Sequence, residues 1–132
     1  MFDHWLRLWN GELSLAEQTV TEDFLVHAAM LDGSAELRGP QALAGWIGQL
    51  RAAFPDLTFA VHVGPITEGA LSAVRWTATG TYAGGFPGAA AAPGTRIAFT
   101  GTDTLRTGPD GRFAEYWLNS DMHVLLAQLG AH

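Results

Sequence analysis

Leu43 to Val63 reads LAGWIGQLRAAFPDLTFAVHV, and the hydrophobic period changes inside it. Leu43, Trp46, Ile47, Leu50 and Phe54 recur at spacings of three and four, the stripe of an amphipathic helix. Pro55 closes that helix, because it has no backbone N–H to donate. From Leu57 onward the alternation has period two, with Phe59, Val61 and Val63 on one side and His62 on the other, so sheet follows helix. Pro40 stands where the first residue of a helix tolerates a missing N–H. Gly45 and Gly48 each weaken the helix by up to about 1 kcal/mol relative to alanine, which implies that something approaches closely there.

Upstream, Phe2, Trp5, Leu6 and Trp9 have helical spacing and Gly11 stands where that helix stops. Ser14 and Glu17 form a capping-box pattern that opens a second short helix to about Val20. Glu22 to Ala28 reads as a strand, and Leu31 to Gly39 is rich in turn formers. Downstream, strands are expected at Leu57 to Val63, Ala70 to Tyr82, Thr95 to Arg106 and Arg112 to Leu118, with Gly108-Pro109-Asp110-Gly111 as one of the turns. Gly84 to Gly94, with Ala89 to Ala92 inside it, reads as a mobile loop at the mouth of the fold. A last helix, Met122 to Leu129, ends at Gly130. Helices followed by strands define an α+β domain over residues 1–132, in which a curved, mostly antiparallel sheet lays its concave side on the N-terminal helices.

The 132 residues include no cysteine, and all seven basic residues are arginines. Disulfides, thiolate nucleophiles and lysine Schiff bases are thereby excluded. The net charge of −6 and the scattered arginines leave no basic patch for nucleic acid. No apolar run reaches the length of a membrane span, and the N-terminus lacks a secretory pattern, so the expectation is a cytoplasmic protein without a membrane partner.

Strand parity sorts the side chains that carry chemistry. Phe113, Glu115, Trp117, Asn119 and, if extension continues, Asp121 share one side of the last strand; Ile97, Phe99, Gly101 and Asp103 share one side of the strand before it. An aspartate desolvated beside tryptophan in an apolar cone has a raised pKa and serves as a general acid or base. Asp121 is the leading candidate, although its place before the final helix suits an N-cap equally. Asp103 reads either as a second pocket carboxylate or as a hydrogen-bonded strand residue. Arg75 reads as an ion-pair partner of Glu115 or Asp103, or as a donor to a substrate oxygen. His27 lines the pocket as a proton donor or is a hydrogen-bonded core histidine, while His4, His123 and His132 read as surface residues. Trp5, Trp9, Trp46, Trp76 and Trp117 converging on a cone would line it for an apolar or polycyclic ligand. No spacing of His, Asp and Glu matches a metal motif, so no metal is expected.

The segment Gly111 to Asp121, GRFAEYWLNSD, followed by Leu125-Leu126-Ala127-Gln128-Leu129-Gly130, resembles the C-terminal signature of the SnoaL-like polyketide cyclases, a family of the NTF2-like superfamily. Trp9-Asn10-Gly11, Thr21-Glu22-Asp23-Phe24 with His27, Phe54-Pro55-Asp56-Leu57, Arg75 to Thr81 and Gly101 to Arg106 agree with it in order. The resemblance implies an NTF2-like cone, a homodimer through the outer sheet face, and an intramolecular aldol closure without cofactor or metal. It places the acid/base aspartate at Asp121, with His27 or the Trp117 N–H to stabilise the enolate oxygen. Limonene-type epoxide hydrolases share the fold but carry Arg-x-Asp on the long strand, where this chain has Arg75-Trp76-Thr77.

Overall fold

The computed structural model describes residues 1–28 and 36–131. Residues 31–35 of the expected turn-rich stretch and His132 lie outside the described residues. Helix α1 spans Phe2–Trp9 and buries Trp5 and Trp9 of the predicted stripe together with Leu8, while Phe2 and Leu6 are only partly buried. A single 3-10 turn, Leu13–Leu15, leads into α2, Ala16–Thr19. Here the capping-box expectation is corrected: α2 begins after Leu15 and has no side-chain cap, because the 3-10 turn carries the chain through Ser14.

Strand β1, Val20–His27, begins two residues before the expected start, and β2, Glu36–Arg38, is a strand where only turn had been expected. Antiparallel pairing of Leu25 with Arg38 and His27 with Glu36 supplies the β2 hydrogen bonds, a long-range partnership no local pattern reveals. Helix α3, Gly39–Ala53, has Pro40 in its first turn and keeps Leu43 and Ile47 fully buried. Its glycines are not points of close approach: Gly45 faces open space, and Gly48 meets only Leu13 Cδ1 at van der Waals distance.

Four long strands follow, β3 (Thr58–Glu68), β4 (Leu71–Thr81), β5 (Arg96–Thr107) and β6 (Phe113–Ser120), and then α4, Met122–Leu129. They form a six-stranded mixed, curved sheet in the order β2-β1-β6-β5-β4-β3, antiparallel throughout except for the parallel pair β1 and β6. The expected α+β cone is therefore the fold. Two amide side chains fasten helices to the sheet by mimicking a strand. Asn10, at the end of α1, accepts from Phe59 N–H at 2.8 Å and donates to the Phe59 carbonyl at 3.2 Å. Gln128 of α4 accepts from Ala98 N–H at 2.9 Å and donates to the Ala98 carbonyl at 2.8 Å, on the stretch of β5 that β6 does not reach.

None of residues 84–94 lines the cavity under α1 and α3. Ala90 and Ala91 N–H both donate to the Leu129 carbonyl at 2.9 Å, satisfying the open C-terminus of α4. Phe86 packs on Phe54, with ring centroids 6.2 Å apart. No helix among the described residues is long and apolar enough to cross a membrane.

Candidate functional site

The inner face of the sheet and helices α1 and α3 enclose a cavity of about 70 Å³. Trp5 and Trp9 enter it from α1, Trp46 from α3, Trp76 from β4, Asp103 from β5 and Tyr116 from β6. Strand alternation explains the sheet members: Val74, Trp76 and Ala78 point inward from β4, and Ile97, Phe99, Asp103 and Leu105 from β5, as their burial shows.

Asp103 is 5% exposed, and three donors hold its carboxyl group. Trp76 Nε1–H and Tyr116 O–H donate to Oδ1 at 3.0 and 2.8 Å, and Trp5 Nε1–H donates to Oδ2 at 3.0 Å. Burial pushes the carboxyl above its ordinary pKa, against the three hydrogen bonds, which favour the charged form. The Tyr116 hydroxyl is raised well above its own ordinary value by burial and by the carboxylate beside it, so it remains a donor. Oδ2 accepts one bond where Oδ1 accepts two, so the free proton-accepting capacity of this carboxyl is on Oδ2. Gly101, paired with Trp76 across β4 and β5, makes the arrangement possible. A Cβ there would overlap the Trp76 indole, only 2.7 Å from Cη2.

The other sequence candidates lie on the opposite face of the sheet. Arg75 alternates with the inward Val74 and Trp76, and its guanidinium pairs with Asp121 at 3.5 Å and donates to the Thr100 hydroxyl at 3.1 Å. The ion pair expected with Glu115 or Asp103 is thus made with Asp121 instead. Asp121 occupies the N-cap position of α4 without capping it through its side chain. Its Oδ2 accepts from the Thr100 hydroxyl, which, with Arg75, holds the carboxyl below its ordinary range. His27 Nε2 lies 2.7 Å from Glu115 Oε2, and the ring stacks on Trp117 at 5.3 Å. Glu115 also accepts from Arg106 at 3.0 Å, and hydrogen bonds from His27 and Arg106 keep it below the usual carboxylate range.

Parity failed on β6 for one reason. Thr107 pairs with Phe113 and Arg106 with Glu115, so Ala114 is a bulge and the alternation shifts by one residue after Phe113. Phe113 and Tyr116 then both face inward while Glu115 and Trp117 face out, and Asp121 does not line the cavity. Of the sequence candidates, Trp5, Trp9, Trp46, Trp76 and Asp103 meet in the cavity, and Trp117 does not. Sequence reasoning missed the donor roles of Trp5 and Tyr116. The signal for Trp5 was its place with Trp9 on the apolar stripe of α1; for Tyr116 there was none once the bulge had reversed the faces.

An α+β cone whose helices close an aromatic cavity around one buried carboxyl group defines the class. The SnoaL-like polyketide cyclase family model matches residues 2–129, and the chain belongs to that family. IdmH from Streptomyces antibioticus, described as a candidate polyketide cyclase, is 28% identical with a TM-score of 0.81, over 98% of this chain and 96% of its own. AclR from Streptomyces galilaeus, described as a candidate hydroxylase, is 27% identical with a TM-score of 0.80, over 98% and 92%. A candidate polyketide cyclase from Bacillus cereus is 25% identical with a TM-score of 0.74, over 96% and 76%. No curated protein matches the chain.

Proposed function

We propose that the protein is a cofactor-independent cyclase or isomerase that moves a proton on a carbonyl compound with the Asp103 carboxyl. One observation carries this reading: among the described residues Asp103 is the only carboxyl lining the aromatic cavity, and no cation lines the cavity with it. Oδ2 takes the proton of a C–H flanked by carbonyl groups, leaving an enolate. In a cyclase the enolate carbon bonds to a second carbonyl carbon of the same molecule, and the Asp103 carboxylic acid returns its proton to the resulting alkoxide. The likeness to IdmH, described as a candidate polyketide cyclase, supports a substrate built from such carbonyls. Asp121, His27, Trp117 and Arg75 do not touch the substrate in this reading. The limonene-type reaction is disfavoured, since it calls for a pair of pocket carboxylates.

The test is deuterium exchange at the central carbon of ethyl acetoacetate in D2O, followed by proton NMR. The wild type is expected to accelerate exchange by about 10²- to 10⁴-fold. Asp103→Asn is expected to lose that acceleration and Asp121→Asn to keep it; the reverse pattern overturns the reading. The cavity volume favours one second reading, because about 70 Å³ falls short of the roughly 300–1,000 Å³ usual for ligand sites. A non-catalytic module for small apolar molecules binds in the same cavity and produces no exchange with any variant.

A further inference from the structure

Asp103 supplies a group that takes a proton, but a carbonyl substrate also needs a donor for its oxygen. Trp5 and Trp76 spend their indole N–H groups on Asp103. Trp9 does not. Its ring lines the same cavity and is 6% exposed, yet its Nε1–H is buried with no hydrogen-bond partner among the described residues. Trp46 and Phe59 meet that ring edge-on at 5.2 and 5.5 Å, and an aromatic face is a weak acceptor at best. A desolvated donor left in this state is costly, and a carbonyl oxygen is the acceptor it lacks.

The surroundings state where that oxygen would sit and what kind of molecule carries it. The ring centroids of Trp5 and Tyr116 are 5.9 and 6.3 Å from that of Trp9, and both residues hydrogen-bond Asp103. Trp9 therefore packs directly against two of the three side chains that hold the carboxyl. Among the described residues no arginine or histidine lines the cavity, so an anionic group entering it would meet Asp103 and no opposite charge. We propose that the Trp9 indole N–H is the positioning donor of the cavity, taking the carbonyl oxygen of an uncharged ligand whose neighbouring carbon faces Asp103. This assignment rests on the reading under Proposed function.

Indole N–H signals in a ¹⁵N-edited proton spectrum test it, with the Trp9 signal identified by its loss in Trp9→Phe. Cyclohexanone is expected to move the Trp9 signal downfield, whereas benzene, which fills space without accepting, is not. Trp9→Phe is expected to weaken cyclohexanone about 2- to 12-fold, the worth of one neutral hydrogen bond, while leaving benzene binding in place. Cyclohexanecarboxylate should bind more weakly than cyclohexanone. If cyclohexanone moves the Trp5 and Trp76 signals and leaves Trp9 unmoved, the positioning role is overturned and the cavity reading stands. Equal or tighter binding of the carboxylate overturns the assignment of an uncharged ligand. If neither cyclohexanone nor benzene moves any cavity indole, the cavity reading itself fails and this inference falls with it.

Discussion

Asp103 and Asp121 show how environment moves two identical side chains in opposite directions. Burial raises Asp103, so the folded state holds its proton to higher pH than the unfolded chain does. Its contribution to stability is greatest below the unfolded carboxyl value and declines as pH rises through the folded one. Asp121 has the opposite sign: the Thr100 hydroxyl and then Arg75 hold it low, so its contribution is present above the unfolded value and lost as pH falls through the folded one. Thr100→Val is expected to move the Asp121 titration upward and leave Asp103 in place, read by carboxyl carbon NMR. Tyr116→Phe removes a donor from a buried carboxyl, and is expected to cost about 1–3 kcal/mol and to raise Asp103 further. Thermal unfolding and the same titration check both effects. Asp103 was legible as a pocket candidate from β5 alternation, whereas the pairing of Arg75 with Asp121 joins β4 to the end of β6 and has no local signature.

At the scale of elements, the cavity depends on one glycine and two amides. Gly101→Ala drives a Cβ into the Trp76 ring, and is expected to cost about 1–3 kcal/mol by overpacking and to weaken the Trp76 hold on Asp103. A melting curve measures the first and the Asp103 titration the second. Gln128→Ala is expected to cost about 0.5–1.5 kcal/mol for each bond to Ala98, seen as a lowered melting temperature. Helices α1, α3 and α4 and strands β3 to β6 were legible from their periods of 3.6 and two, although β3 shifts register and runs on to Glu68, past the expected Val63. The bulge at Ala114 was not, since an extra residue within a run of aromatics leaves no mark on composition. That single residue reversed Tyr116 and Trp117, and with them the expected membership of the site.

For the whole molecule, the sheet separates two chemistries. The inner face holds an apolar cavity around Asp103, and the outer face carries Arg75, Thr100 and Asp121 beside a second cluster of His27, Glu115 and Trp117. We expect this outer face, where Trp117 is only partly buried, to pair sheet to sheet with a second copy. Native mass spectrometry at micromolar concentration is expected to give the dimer, and a monomer alone contradicts it. The cavity, at about 70 Å³, is smaller than the roughly 300–1,000 Å³ usual for ligand sites. The central claim is that the proton-active group of this protein is the carboxyl inside the cone. Its most direct measurement is the titration of ¹³C-labelled aspartate carboxyls with and without cyclohexanone. Asp103 is expected to titrate above the ordinary aspartate value and to shift when the ketone binds, and Asp121 to titrate below it and not respond. An Asp103 that titrates at or below the ordinary value, or that ignores the ketone while Asp121 responds, contradicts the claim.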